Sequence, residues 1–424
     1  MNLPTAGQSK AGPPVQPSLR ISYLFPQFPI STEAFAVSDI GALRALGHQV
    51  VVHTVKARRI GEAEYLRSCN VPADLAIHRA SLRGALRWPL LVWKMRAEAV
   101  YLVRQIANGT LKPLGTRASA LLCIPRVLEM AGEIDKLDAD IVHVFWSRHA
   151  GMVLSVLGQR RSRGLRSAFV GAYDLIADDF LVDLALGWSE VVYSHAETNR
   201  AYLEAKAPAR TPVRIILRGI PLMTPDPAIV RDPALWVTAS ALSVPKNVEA
   251  VLQTFAQARS SRPDLKLEVF GEGPDRRRLE QCSQQLGCSD AVRFRGHVER
   301  EVLFGHMQRA AAFLLLSKKP SERLPNVVKE ALWAGCAIIS SRSEGIEELV
   351  PDSRIGLVID PDDADARTTA MQTILQETQD QAALRRDRAR TLIAERFSNQ
   401  LSMGEYVAAW QAALAARAPG TSDE

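Results

Sequence analysis

The chain lacks the features that mark a disulfide-bonded secreted protein or a membrane-spanning one. Its five cysteines include no CxxC pair, and an odd, scattered set is typical of reduced thiols in a cytosolic protein. No apolar run approaches the ~20 residues that a spanning helix needs. Residues 1–18 are rich in Pro, Gly, Ser and Gln and have no apolar core, so we expect a disordered segment rather than an export signal. These absences predict a cytoplasmic protein.

A strong charge of one sign is also missing. The net charge is +6, from 52 basic and 46 acidic residues, and it is dispersed along the chain, so nucleic acid is not expected as a partner. The mild basic balance favours phosphorylated ligands or an anionic membrane surface. A chain of 424 residues is too long for one core and predicts two domains, or three.

The order of apolar runs predicts two α/β domains in tandem. Residues 20–25 and 49–54 are predicted strands on either side of an amphipathic helix at 33–46, and this order begins a parallel sheet. Four prolines within 219–233 predict a linker, after which the pattern restarts at a strand over 235–239. The predicted segments are a disordered lead at 1–18, an N-terminal domain at 19–218, the linker at 219–233, a C-terminal domain at 234–396 and a helix at 397–416.

The stretch Glu322-Arg-Leu-Pro-Asn-Val-Val-Lys-Glu330 carries two carboxylates separated by seven residues. It follows an apolar run at 310–316, so a strand, a loop and a helix starting at Pro325 are predicted, because proline suits the first helical position. The amide groups of Asn326 and Val327 would then form an anion site at the positive end of the helix. A phosphate ester with hydroxyl-rich groups at both ends, such as a nucleotide-sugar, fits this layout.

Two tempting motifs are weak. Gly271-Glu-Gly273 follows a predicted strand, but position 276 is arginine where a dinucleotide fingerprint has its third glycine, so a tight turn in the donor cleft is the better interpretation. Asp138-Ala-Asp140 and Asp360-Pro-Asp362 mimic a metal-binding Asp-x-Asp motif. The first precedes its strand and the second lies where a helix cap is expected. No metal site and no cofactor are therefore predicted.

From about residue 19 to 416 the chain resembles the retaining glycosyltransferases of family 4. The Glu-x7-Glu pair is their hallmark, and the resemblance extends to the glycine pair at 271 and 273, the turn Arg295-Gly-His-Val298, Ser317 and the loop Gly345-Ile-Glu-Glu348. The opening, Tyr23-Leu-Phe-Pro-Gln-Phe-Pro with Ser31-Thr-Glu33-Ala-Phe35, resembles the subgroup that builds colanic acid and other exopolysaccharides. The resemblance implies the GT-B fold, in which two doubly wound Rossmann-like α/β domains face a central cleft.

The resemblance also implies roles for the matched residues. Glu322 would hold hydroxyl groups of the transferred sugar, Glu330 the ribose, and Lys246 the diphosphate, with Glu322 and Lys246 as the catalytic pair. The donor, a substrate rather than a cofactor, would be a UDP- or GDP-linked sugar bound by the C-terminal domain, and the acceptor a saccharide, expected to be lipid-linked, bound by the N-terminal domain. Further donor-side candidates are Leu324, Asn326, Val327, Gly271, Gly273, Val298, Lys318 and Lys319, and the acceptor-side candidates are Tyr173, Asp174 and Glu33.

Two positions depart from the family pattern. Ala241 stands where the family usually has arginine, and Gly171 where it often has histidine. Losing one preorganised donor typically costs ~10²–10³ in rate. Lys318 and Lys319 are hypothesised to supply the missing charge. The departures also motivate an alternative, a weakened GT-B protein that binds a nucleotide-sugar or a partner without efficient transfer. A nucleotide-sugar epimerase on the same fold is the other alternative.

The segment 79–126 contains nine basic residues and one acid, Glu98, interleaved with Trp88, Trp93 and many Leu and Val. Two interpretations remain open. The segment forms helices with a solvated basic face, or a basic amphipathic surface that lies on an anionic membrane. The second is compatible with a lipid-linked acceptor and with peripheral association at the inner membrane.

Overall fold

The computed structural model describes residues 17–29, 34–57, 66, 69–109, 114–177 and 180–417. These residues form two parallel sheets, each covered by helices. The first has seven strands in the order β3-β2-β1-β4-β5-β6-β7, and the second has six in the order β10-β9-β8-β11-β12-β13. Within the described ranges, no helix combines the length and the apolar character needed to cross a bilayer.

The first sheet is built from strands that are mostly buried on both faces, which is why they are continuous apolar runs rather than alternating ones. Strand β3 shows no such apolar run, because its four residues, IHRA, are all half-buried at the sheet edge. The strands are β1 (Arg20–Phe25), β2 (Gln49–Ala57), β3 (Ile77–Ala80), β4 (Ile141–Phe145), β5 (Leu165–Phe169), β6 (Val191–Ser194) and β7 (Val213–Ile215). The helices are α1 (Ala34–Ala45), α2 (Leu82–Ala85), α3 (Trp88–Lys94), α4 (Arg96–Asn108), α5 (Leu114–Leu137), α6 (Met152–Gln159), α7 (Ala172–Ala177), α8 (Phe180–Trp188) and α9 (Arg200–Lys206).

The second sheet repeats the strand–helix alternation. Its first strand begins at Asp232, inside the region predicted as a linker. The strands are β8 (Asp232–Ala239), β9 (Lys266–Phe270), β10 (Val292–Gly296), β11 (Ala310–Leu315), β12 (Ala337–Ser341) and β13 (Leu357–Ile359). The helices are α10 (Val248–Ser261), α11 (Arg276–Gln285), α12 (Arg300–Arg309), α13 (Asn326–Ala334), α14 (Ala364–Leu375), α15 (Gln379–Arg396) and α16 (Asn399–Ala415).

Helix α16 returns to the first sheet. Tyr406 and Trp410 lie in the core formed by β1, α1 and β4, and the Tyr406 ring stacks on Tyr193 with centroids 4.4 Å apart. The two connections between the domains run side by side, since Ile220 and Ser398 form a β-bridge. Gly219 permits this approach, because a Cβ there would lie 2.2 Å from the Ser398 carbonyl carbon.

The basic segment 79–126 forms β3, α2, α3, α4 and the start of α5, apart from the residues outside the described ranges. Arg126 does not belong to a solvated basic face. It is 1% exposed, and its guanidinium donates to Glu129 and Glu133 at 2.8 Å and to the carbonyls of Thr54 and His78 at 3.1 Å. Sequence spacing missed this role because its acidic partners lie on the next turns of α5, beyond the segment.

Candidate functional site

A cavity of about 800 Å³ lies between the two sheets. Parallel sheets place ligands at the carboxyl ends of their strands, and here loops after β4, β5, β6, β8 and β11 contribute to the wall. The first domain and the connection after β7 contribute Phe35, Trp146, Arg148, Phe169, Ala172, Asp174, His195 and Arg218 to the lining. The second domain contributes Ala239, Ser240, Ala241, Lys246, Lys319, Ser321, Glu322, Arg323, Leu324, Pro325, Asn326, Val327 and Lys329.

Lys246 and Glu322 meet at the cavity as an ion pair. Lys246 ends a single 3-10 turn after β8. The next residue, Asn247, has a left-handed backbone, and its side-chain amide donates to the Leu316 carbonyl at 3.1 Å. The second oxygen of Glu322 is buried and has no hydrogen-bond partner among the described residues. A buried acceptor without a donor is costly, so this oxygen is suited to receive a ligand hydroxyl.

The helix after Glu322 begins one residue later than predicted. Pro325 is the N-cap, with an extended ψ of 127°, and α13 starts at Asn326. The shift changes little, because neither the N-cap nor the first helical position needs a backbone N–H for an intrahelical hydrogen bond, and proline has none. Asn326 and Val327 occupy the first two helical positions and line the cavity. Their amides belong to the group of N-terminal donors that have no intrahelical partner.

Glu330 lies away from the cavity. It is 9% exposed and is absent from the cavity lining. Its carboxylate pairs with Arg300 of α12 at 2.5 Å. Burial raises the pKa of Glu330, and Arg300 opposes that shift. The two carboxylates of the Glu-x7-Glu stretch therefore differ in setting, since Glu322 faces the interdomain cavity and Glu330 faces α12.

The glycine pair has a local structural cause. A Cβ on Gly271 would lie 1.9 Å from the Ser240 carbonyl oxygen, and one on Gly273 would lie 2.2 Å from the Leu242 carbonyl oxygen. These glycines allow two loops to pack backbone against backbone, which places Ser240 and Ala241 in the cavity wall. Neither glycine lines the cavity itself, and neither does the half-buried Val298.

The two lysines after β11 point to different places. Lys318 pairs with Asp362 and is not part of the cavity lining. Lys319 lines the cavity. Of the two residues hypothesised to replace the missing charge at Ala241, Lys319 alone lies at the cavity.

The acceptor-side candidates are only partly described. Asp174 lines the cavity from the first turn of α7, and its carboxylate accepts from the Gly171 amide at 3.2 Å. The backbone of Tyr173 belongs to the same helix, but its side chain is outside the description. Glu33 lies outside the described residues. At Gly171 a Cβ would lie 2.8 Å from the Trp146 ring, so Trp146 fills the space that a larger side chain would need.

Two cationic residues at the cavity were missed by sequence reasoning. Arg218 follows β7, and its guanidinium lies 4.5–4.9 Å from the ring centres of Phe35, Phe145 and Phe169. Lys329, on α13, is 0% exposed. It donates to the Arg218 carbonyl at 2.7 Å and to the Asn326 side chain at 3.0 Å. No periodicity marked them, because one follows a short strand and the other lies in an amphipathic helix.

Electrostatic effects concentrate on the same wall. Burial lowers the pKa of Lys329 to about 7, with Arg218 adding to the effect. Burial also lowers the pKa of His195 to about 3, helped by Arg218, Lys329 and Arg323. Arg323 itself is held by Asn199 and Glu344. The cavity therefore has a positive wall in which His195 stays neutral.

The best cluster of metal-type ligands among the described residues is His53, His78 and Glu133, on β2, β3 and α5. Arg126 donates to both Glu133 oxygens, so the carboxylate is already neutralised. Burial disfavours its ionisation, but donors from His53, His78 and Arg126 hold the pKa of Glu133 below its usual range. This arrangement fits a partly buried ion-pair network better than a cation site. The two Asp-x-Asp stretches are also committed to other contacts, since Asp138 pairs with Arg20 and Asp362 with Lys318.

Two parallel Rossmann-like sheets with a cavity between them define a protein of the GT-B class. Residues 223–391 match the family model described as Glycosyl transferases group 1. This match covers the second sheet from β8 to β13.

Comparisons with known proteins agree with this class. The chain is 21% identical over 413 residues to the colanic acid biosynthesis glycosyltransferase WcaL of Escherichia coli, covering 93% of this chain and 100% of that protein. It is 29% identical over 158 residues to a GDP-mannose-dependent phosphatidylinositol monomannoside mannosyltransferase of Mycolicibacterium smegmatis, covering 36% of this chain and 41% of that protein. The chain spans less than half the length of the first curated relatives it matches.

The solved structures show the fold. Anabaena HepE in complex with UDP superposes with a TM-score of 0.67 at 15% identity, covering 93% of this chain and 100% of that one. A sucrose-phosphate synthase from Thermosynechococcus elongatus superposes with a TM-score of 0.65 at 18% identity, covering 93% and 99%.

Proposed function

We propose that this protein is a retaining glycosyltransferase that moves a sugar from a UDP- or GDP-linked donor to a saccharide acceptor in exopolysaccharide or surface glycan synthesis. One observation carries the proposal. The Lys246–Glu322 pair and the first amides of α13 meet at one interdomain cavity. WcaL is named for colanic acid biosynthesis and the HepE structure contains UDP. Retention at the anomeric carbon is implied by the family resemblance.

Each group at the cavity has a role in this proposal. The α13 amides and Lys246 stabilise the diphosphate, where charge develops as the glycosidic bond breaks. The unpartnered oxygen of Glu322 accepts from a hydroxyl of the transferred sugar. Glu330 binds the ribose once its ion pair with Arg300 is partly broken. Asp174 lies on the acceptor side. Domain closure over the cavity excludes water and limits donor hydrolysis.

A thermal-shift screen across nucleotide-sugars tests the proposal. A UDP- or GDP-sugar is expected to raise the melting temperature, because a ligand at 100 times its Kd stabilises the native state by about 2.7 kcal/mol. The matching sugar 1-phosphate, which lacks the nucleotide, serves as the control and is expected to give little shift. If no UDP- or GDP-linked sugar binds, the proposal fails.

A weaker enzyme is the second candidate, and two observations favour it. Ala241 lies in the cavity wall without a charge, and Trp146 occupies the space beside Gly171. A protein that binds the donor in the screen but shows neither transfer nor donor hydrolysis would fit this candidate. A product that forms from donor without any acceptor would instead indicate an epimerase.

We also propose peripheral association with an anionic membrane, which suits a lipid-linked acceptor and a cytoplasmic protein. Helices α3, α4 and α5 pack against one another and expose large apolar side chains, with Leu90 68%, Trp93 67% and Leu122 77% exposed. Exposed basic residues accompany them, namely Arg87, Lys94, Arg96 and Arg104. We call this surface the basic-apolar face. Its composition complements acidic lipid headgroups over an apolar interior.

The double variant Leu90→Ser/Trp93→Ser is expected to weaken binding to phosphatidylglycerol vesicles by about tenfold or more per residue, since burying a large apolar side chain is worth about 1.5–3 kcal/mol. Vesicle co-sedimentation measures it. Leu384→Ser, at an exposed leucine of α15, is the matched control and should bind like the wild type. Binding that does not depend on anionic lipid would contradict the membrane proposal.

A further inference from the structure

The cavity wall carries more positive charge than a donor diphosphate accounts for. Six cationic side chains and two carboxylates line it. Lys246 and Lys319 lie on the loops after β8 and β11, beside the start of α13, where the diphosphate is proposed to bind. Arg218 lies on the wall formed by the connection between the domains. Lys329 links that wall to the start of α13, because its ammonium donates to the Arg218 carbonyl at 2.7 Å and to the Asn326 side chain at 3.0 Å.

The charges of Arg218 and Lys329 are incompletely balanced. Arg218 has one carboxylate nearby, Asp39 of α1, at 3.3 Å. The contact is loose, since the Asp39 Oδ2 atom has no hydrogen-bond partner among the described residues. Lys329 forms no ion pair with any carboxylate that the structure describes. Among the described residues, Asp39 is therefore the one carboxylate in ion-pair contact with either the partly buried Arg218 or the buried Lys329, and an incompletely compensated buried charge is costly.

The geometry presents Arg218 to the cavity. Phe35, Phe145 and Phe169 surround its guanidinium, and cation–π contacts fix its position while leaving its N–H donors for hydrogen bonds. Its side chain keeps 11% exposure, and it lines the cavity beside Lys329. A planar guanidinium matches carboxylates and phosphates in a bidentate manner.

We propose that Arg218, supported by the charge of Lys329, binds a second anionic group, a carboxylate or phosphate monoester on the acceptor, in addition to the donor diphosphate. This proposal rests on the proposed function and narrows its acceptor to an acidic saccharide or a phosphorylated one. The bound anion would balance the two cations, and Lys329 would take up a proton as it binds.

The groups around Lys329 determine how the affinity for the anion depends on pH. Its pKa of about 7 in the free protein is set first by burial and then by Arg218, against the opposing carboxylates. A bound anion raises that pKa, so affinity is greatest below pH 7 and falls as the pH rises above it. His195 remains neutral across that range. The charged or titratable groups facing Lys329 are Arg218, Asp39, Glu330, Glu348 and His195.

Calorimetry on the full chain saturated with UDP or GDP tests the proposal. We expect glucuronate and glucose 6-phosphate to bind about 10–100-fold more tightly than glucose, as expected for hydrogen bonds to a charged group. A preference for one anion separates carboxylate from phosphate recognition. For glucuronate, whose charge is constant, affinity should fall between pH 6 and pH 8.5. Lys329→Met should remove that pH dependence.

Two results would overturn this inference: glucose binding as tightly as the anions, or anions that compete with the nucleotide and so occupy the diphosphate site. If Lys329→Met does not fold, the wild-type pH dependence and the competition measurement still decide. Failure of the proposed function has a different signature, because neither UDP nor GDP would bind the wild-type protein. Anion binding to the nucleotide-free chain would then still report on Arg218 and Lys329.

Discussion

Replacing Lys246 with alanine is expected to lower the rate of sugar transfer by about 10²–10³-fold, the typical loss when one preorganised group at a developing charge is removed. The effect should be large here because Ala241 offers no cation beside it in the cavity wall. The loss should appear in kcat more than in KM, since the leaving-group charge is greatest in the transition state. Steady-state transfer or donor-hydrolysis assays measure it.

The matched control is Lys266→Ala, at an exposed lysine where β9 begins, which should retain wild-type turnover. Lys319→Ala measures what Lys319, which lines the cavity, contributes to turnover. Lys318→Ala is its comparison, because Lys318 pairs with Asp362 instead. Unfolding temperatures exclude a folding defect as the cause. Unchanged turnover in Lys246→Ala would remove Lys246 from the catalytic pair.

Replacing Arg126 with methionine is expected to reduce the free energy of unfolding of the first domain by about 3 kcal/mol, because it leaves the half-buried carboxylate of Glu133 without its cation. The Arg126 guanidinium donates to both carboxylate oxygens of Glu133 and also to the backbone carbonyls of Thr54 and His78. Denaturant titration followed by circular dichroism measures the loss.

Arg388→Met is the control for this change, since Arg388 is exposed on the helix α15 and a surface substitution is expected to stay within about 0.5 kcal/mol. The pH dependence provides a second check. Because the pKa of Glu133 is lowered in the native state, its stabilisation is present at neutral pH and is lost as the pH falls through the folded pKa. The variant should therefore lose less stability on acidification than the wild type. Equal stability of Arg126→Met and wild type would show that the network contributes nothing net.

Sequence patterns predicted the positions of strands well where the strands are buried on both faces of the sheet. Strand β1 begins and ends where the predicted strand at 20–25 does, because a central parallel strand must be apolar throughout. The half-buried β3 gave no such run. The sequence predicted a helix at 397–416 but not which domain it covers. Trp410 and Tyr406 place α16 on the first sheet.

The chain by itself determined two α/β halves and a carboxylate beside a helix start, because residue order and apolar periodicity dictate strands and their loops. The family resemblance implied that Lys246 joins that site. Tertiary structure alone decided that Glu330 pairs with Arg300, that Arg126 is buried, and that Arg218 and Lys329 share a wall. Those facts depend on which distant charges burial brings together, and burial of a charge depends on the packing of the whole chain.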